Sequence, residues 1–124
     1  MPDYAVEIKT REELEKILRE HELVFLEVRN KDSYESRYLS RILASILGPL
    51  GSRIKMVFID HKQAPELLED YPRGRYVPII RLYIRGQMVW EQEGVLANES
   101  ADRLAIRRGL REVLKQHGFH RMGI

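Results

Sequence analysis

The spacing of apolar residues switches between a period of two and a period near four along this chain, and each switch marks an element. Tyr4 to Lys9 alternates, which predicts a short strand. Thr10-Arg11-Glu12-Glu13 has the form of a capping box, in which the Thr10 hydroxyl accepts from a free helix amide and Glu13 reaches back to another. Leu14, Ile17 and Leu18 then fall on one helical stripe, supported by the Glu12/Lys16 and Glu15/Arg19 pairs four residues apart. Leu23 to Val28 reads as a buried strand. Tyr38, Leu39, Ile42, Leu43, Ile46 and Leu47 predict a helix that starts at Asp32 or Ser33 and stops at Gly48-Pro49.

Ile54 to Ile59 is apolar on both faces, as a central strand covered by helices requires. Pro65 suits the first turn of a short helix reaching about Asp70. Ile79 to Ile84 and Met88 to Glu93 predict a hairpin about Arg85-Gly86. Asn98 or Ser100 caps a last helix with Ile106, Leu110, Val113 and Leu114 inward, and Gly118 stops it after His117. The order is β-α-β-α-β-α-β-β-α.

A length of 124 residues fits one domain, 1–124, with 118–124 expected as a flexible C-terminal tail. The 44% apolar and 32% charged content is that of a globular protein, and no apolar run approaches a membrane span. Met1-Pro2-Asp3-Tyr4 has no basic stretch followed by an apolar one, so the expected location is cytoplasmic. Arginine exceeds lysine while Asn and Gln are scarce, a composition met in thermophiles. The net charge of +2, from 21 basic and 19 acidic residues, makes no case for a nucleic-acid partner. The absence of cysteine excludes disulfides, thiolate catalysis and thiolate metal sites.

Val77-Pro78 before a strand, Gly86 in the hairpin and Gly94 eight residues later resemble the second half of a thioredoxin, and the element order before them agrees. The resemblance covers nearly the whole chain. It implies an α/β, thioredoxin-like fold: a five-stranded mixed sheet with helices on both faces and a cis proline at Pro78. It places the family's dithiol at Asp32 and Glu35, so both cysteines are replaced by carboxylates, and the family's helix-bending proline at Ser40. The family's buried aspartate falls at Leu26 and its lysine partner at Met56, which implies that this relay pair has become apolar on both sides. Glu27 and Arg81 stand where family members are apolar. An unpaired buried charge is costly, so a cross-strand Glu27–Arg81 ion pair under the first helix is expected.

The candidate sites follow from this frame. Asp32 and Glu35 read as helix caps, with a paired-carboxylate site as the chemical alternative. Ser33 and Tyr34 resemble by position the activating hydroxyl of glutathione transferases, which also need a second, helical domain. His61 follows Asp60 at a strand end, and His117 and His120 read as a frayed tail; no metal or cofactor site is expected. Arg103, Arg107, Arg111 and Lys115 recur every four residues as a basic stripe, ordinarily a solvated helix face.

In thioredoxin-like proteins the loops around the cis proline bind extended polypeptide. The corresponding surface here is Lys31, Ser33, Tyr34, Tyr76, Val77, Pro78, Gly94 and Val95, flanked by Arg73 and Arg75. The reading that results is a redox-inactive adaptor or protein-interaction module, not an enzyme, acting through that groove on a protein partner or on a second copy as a homodimer. The alternatives are a thiol-independent small-ligand protein using Ser33/Tyr34 or Asp32/Glu35, and a nucleic-acid accessory using the arginine stripe.

Overall fold

A computed structural model describes residues 3–72 and 74–124. Strands β1 (Val6–Glu7), β2 (Leu23–Arg29), β3 (Lys55–Asp60), β4 (Ile79–Ile84) and β5 (Gln87–Glu93) form one sheet in the order β1-β3-β2-β4-β5. β1, β3 and β2 run parallel, while β4 is antiparallel to β2 and β5 to β4. Helices α1 (Arg11–Glu20), α2 (Tyr34–Leu47), α3 (Ala64–Leu67) and α4 (Glu99–Gln116) cover its two faces, and a 3₁₀ turn, Gly48–Leu50, follows α2. The helix starts carry the expected chemistry: Thr10 accepts from Glu13 N, Ser33 from Ser36 N and Asn98 from Ala101 N. α3 is shorter than its pattern implied, closing at Leu67.

The pleat divides the core. Leu23, Phe25, Met56, Ile80 and Leu82 face α2 and α4, whereas Val24, Leu26, Val57, Ile59 and Ile79 face α1 and α3. This alternation overturns the expected Glu27–Arg81 pair. In the β2–β4 ladder Glu27 lies opposite Ile80, and Arg81 opposite Leu26, so the two charges point to opposite faces. Each finds other partners. Glu27, with no exposure, accepts from Tyr4 Oη at 2.6 Å and Arg29 Nε at 2.9 Å, and from Ser40 Oγ on its other oxygen. Arg81 donates from Nε to Glu91, directly across on β5, at 2.6 Å and from Nη2 to Asp70 at 2.8 Å. Burial works against the Arg81 charge, but the Tyr83 hydroxyl and the Glu91 and Asp70 carboxylates outweigh it and hold its pKa above the ordinary arginine value.

The implied loss of a buried carboxylate needs the same correction. Leu26 and Met56 are both buried, but in different layers. The carboxylate stands one residue on, at Glu27, on the face that α2 covers. Arg29 backs it: its guanidinium lies 3.8 Å above the Phe58 ring and donates to Asp3 at 2.8 Å. The Arg29 hydrogen bond, the largest influence, holds the Asp3 carboxyl below its usual value.

Residues 118–124, expected as a flexible tail, pack back onto the body. Met122 is buried in the α2–α4 layer, Phe119 and Ile124 lie against it, and Arg53 and Arg111 donate to the Arg121 and Ile124 carbonyls at 3.0 Å. Apolar burial outweighs the chain entropy that a free end would keep.

Two outcomes test this architecture. In double-mutant cycles read by denaturant unfolding, Glu27 couples more strongly to Arg29 than to Arg81. Glu27→Leu alone costs on the order of 3 kcal/mol or more, because it strands Arg29 and the buried hydroxyls. A second outcome concerns Gly109 in α4, where an added Cβ would lie 2.5 Å from Trp90 Nε1. Gly109→Ala should destabilise by about 1–3 kcal/mol despite alanine's better helix propensity, and a Trp90→Leu background should remove the penalty.

Candidate interaction site

The C-terminal ends of β2, β3 and β5, the start of β4 and the first turns of α2 and α4 all meet at one end of the sheet. Lys31, Ser33, Tyr34, Tyr76, Val77, Pro78, Gly94 and Val95 are therefore brought together there, with Arg75 exposed beside them. Arg73 lies outside the described residues. The loop is closed on itself by its own hydrogen bonds. Among the described residues no peptide bond is cis, so Val77–Pro78 is trans, against expectation. Trans is the intrinsically favoured form of an X–Pro bond by about 0.5–1 kcal/mol, and local contacts hold the loop in place. The Tyr71 hydroxyl lies 3.4 Å from Val77 N and 3.5 Å from Val77 O, Gly94 N donates to Pro78 O at 2.7 Å, and Tyr76 Oη donates to Val28 O at 3.2 Å. The Val77 main-chain groups that would pair with an extended peptide thus face Tyr71. Burial raises the Tyr71 hydroxyl pKa and pushes that of Tyr76 up to about 12.

The candidate catalytic groups are occupied or solvated. The Ser33 hydroxyl accepts from Ser36 N at 3.3 Å as the cap of α2. Asp32 and Glu35 are exposed. Glu35 lies in the first turn of α2, where it complements the helix dipole, whereas the Asp32 side chain does not serve as the cap. His61 packs edge-on to Tyr76 at 5.4 Å, and His117 Nδ1 lies 2.8 Å from Val113 O.

What the sequence did not reveal is a buried carboxylate at the start of α4. Asp102 has no exposure. Its Oδ2 accepts from Tyr38 Oη at 2.6 Å and its Oδ1 from Leu96 N at 2.8 Å, joining α2 to the loop between β5 and α4. Desolvation, then the Asp102 carboxylate, pushes the Tyr38 hydroxyl up to about 12. The loop that Asp102 fixes carries Leu96, 64% exposed, followed by Ala97 at a positive φ of 62°. One turn before Tyr38 on α2 stands Tyr34, 70% exposed. A depression of about 180 Å³ lined by Gly94, Val95, Leu96 and Ala105 completes this end. The available signal was Asn98 followed four residues later by Asp102 at the start of an amphipathic helix. In sequence, that aspartate is indistinguishable from a solvated first-turn acid.

Solved structures were compared with this arrangement. Thioredoxin from Trypanosoma brucei brucei superposes with a TM-score of 0.70 at 18% identity, over 90% of this chain and 91% of that one. This chain has the thioredoxin fold. A cysteine-to-serine variant of Entamoeba histolytica thioredoxin gives 0.68 at 22% identity, covering 87% and 98%. Plasmodium falciparum thioredoxin gives 0.67 at 17%, covering 84% and 98%. No family model and no curated protein matches the sequence. With the thioredoxin fold but no cysteine, the chain carries out no thiol–disulfide exchange. Among the described residues no helix is long and apolar enough to cross a membrane.

The Tyr38–Asp102 contact has a defined alkaline signature. A hydroxyl whose pKa is raised from 10 to about 12 by folding contributes stability that is complete below pH 10 and lost as pH rises through 12. Denaturant midpoints measured across pH 9–12 should fall more steeply for wild type than for Tyr38→Phe. Asp102→Ala should cost about 2–3 kcal/mol and abolish hydrogen-exchange protection at the Leu96 amide.

Proposed function

We infer that this chain is a thioredoxin-fold protein that works by contact with another protein, using the end of the sheet at Tyr34, Tyr38 and Leu96 with the Pro78 loop at its edge. One observation carries the reading. A buried carboxylate, Asp102, fixes a loop that exposes the apolar side chain of Leu96, and an exposed aromatic, Tyr34, lies one helical turn from the tyrosine that contacts Asp102. Fixing a side chain that points into water does nothing for the core, whereas a preorganised apolar anchor reduces the ordering cost of association. Tyrosine is a favoured anchor at such interfaces. The occupied Val77 main chain favours side-chain docking over strand-like pairing of a peptide. A cytoplasmic setting and self-association through the same patch both fit this reading.

The test places a photo-crosslinking residue at Tyr34 and irradiates the protein in lysate of its source, with and without Leu96→Asp. The expected outcome is a discrete adduct that Leu96→Asp weakens at least thirtyfold, the equivalent of about 2 kcal/mol at an anchor residue. An adduct at twice the chain mass assigns the patch to a homodimer, which light scattering of the purified chain checks. Absence of adducts, or adducts indifferent to Leu96→Asp, overturns the reading.

A further inference from the structure

The near-balance of charge in the sequence hides a segregation that the fold creates. α1 and α3 lie on one face of the sheet, where Glu12, Glu13, Glu15 and Glu20 of α1, with Glu66 and Glu69 at α3, outnumber Arg11, Lys16 and Arg19, and Arg11 pairs with Glu69 at 3.4 Å. α2 and α4 lie together on the other face. There Arg37 and Arg41 are one turn apart on α2, and Arg103, Arg107, Arg111 and Lys115 rise along α4. The two rows are joined: Arg103 Nη1 donates to Ser45 Oγ on α2 at 3.1 Å, and Ser45 is one turn beyond Arg41. The four acids of α2 and α4 are Glu35, Glu99, Asp102 and Glu112, fewer than the seven cations Arg37, Arg41, Arg103, Arg107, Arg108, Arg111 and Lys115. Asp102 is buried on Tyr38 and Leu96, and Glu99 pairs with Arg103 at 3.3 Å. Glu112 stands off the row, one turn after Arg108.

We propose that the α2–α4 face binds the phosphodiester backbone of a nucleic-acid duplex without regard to its sequence. The row from Arg103 to Lys115 advances about 6 Å and turns about 40° at each step, a shallow spiral of cations along α4 suited to a polymeric anion. Guanidinium groups match phosphate oxygens in a planar, two-point fashion that ammonium groups do not. No aromatic side chain lies in the row, so it offers no base stacking, and contact is with the backbone. An acidic protein partner would require an apolar centre, and among the described residues of α4 the only large apolar side chain exposed beside the row is Leu104. Interfaces with nucleic acid are instead polar and positively charged. Arg41 and Arg107 each lie beyond the first turn of their helix, outside the Tyr34–Leu96 patch, so variants at these two positions test this proposal and leave that patch unchanged.

Fluorescence anisotropy tests it with labelled 20-base-pair DNA and RNA duplexes of mixed sequence, titrated from 50 to 200 mM salt. Binding of either duplex is expected, with Kd of about 1–100 μM at the upper salt and little change when the sequence is scrambled. Arg41→Gln/Arg107→Gln removes two charges whose side chains make no hydrogen bond or ion pair among the described residues, and should lower the salt slope of log K by about 2. Lys16→Gln/Arg19→Gln on α1, an equal loss of charge on the opposite face, should leave that slope unchanged. Three results overturn the proposal: no binding of either duplex at 50 mM salt, equal loss in both double variants, or equal affinity for a polyglutamate peptide. The last assigns the face to acidic protein instead. Circular dichroism of each variant separates lost binding from lost folding.

Discussion

Leu26 and Glu27 are consecutive in β2, so the pleat must send one under α1 and α3 and the other under α2 and α4. That alternation places a carboxylate with no solvent access inside the larger apolar layer. A charge in such a place is tolerable only when its oxygens are fully matched, and the matching groups come from distant parts of the chain. Tyr4 precedes β1, Arg29 ends β2 and Ser40 lies in α2. Glu27 thereby ties the first residues and α2 to the middle of the sheet. On the opposite face Arg81 binds β4 to β5 and to the segment after α3 in the same way. Two buried charges, each neutralised within its own layer, take the place of one pair across the sheet.

A second consequence appears at the end of the sheet where a thioredoxin would hold its dithiol. Without cysteines, no thiol–disulfide exchange takes place there. The Ser33 hydroxyl serves the helix start, the trans Val77–Pro78 bond leaves the Val77 main chain against Tyr71, and the loop closes on Gly94. Local order has moved sideways to the start of α4, where Asp102 links Tyr38 to Leu96. A buried acid with two full hydrogen bonds makes a rigid support, and what it supports is exposed. The site is therefore better described by its scaffold than by any reactive group.

The element order and the positions of the helix starts were legible because they depend on local chemistry. Thr10, Ser33 and Asn98 cap whatever helix follows them, and the period of apolar residues records which face is covered. The β4 limits, Ile79–Ile84, were readable because the strand is apolar throughout and bounded by Pro78 and Gly86. The Glu27 and Arg81 partners were not legible. Strand register is a property of two strands at once, and a shift of one residue exchanges the faces. The fate of residues 118–124 was equally hidden, since Met122 is apolar in either case and only the body of the fold supplies a surface to bury it.

By itself, then, the sequence determined the fold class, the starts of the capped helices and the exclusion of thiol chemistry. Each follows from residue type and short-range spacing. The tertiary structure decided which charges meet, whether the proline loop stays open, which carboxylate is buried and how a nearly neutral chain divides into an acidic and a basic face. Those outcomes depend on distances between segments far apart in the chain. Pleat direction, strand register and the side on which each helix packs set those distances, and no local pattern encodes them.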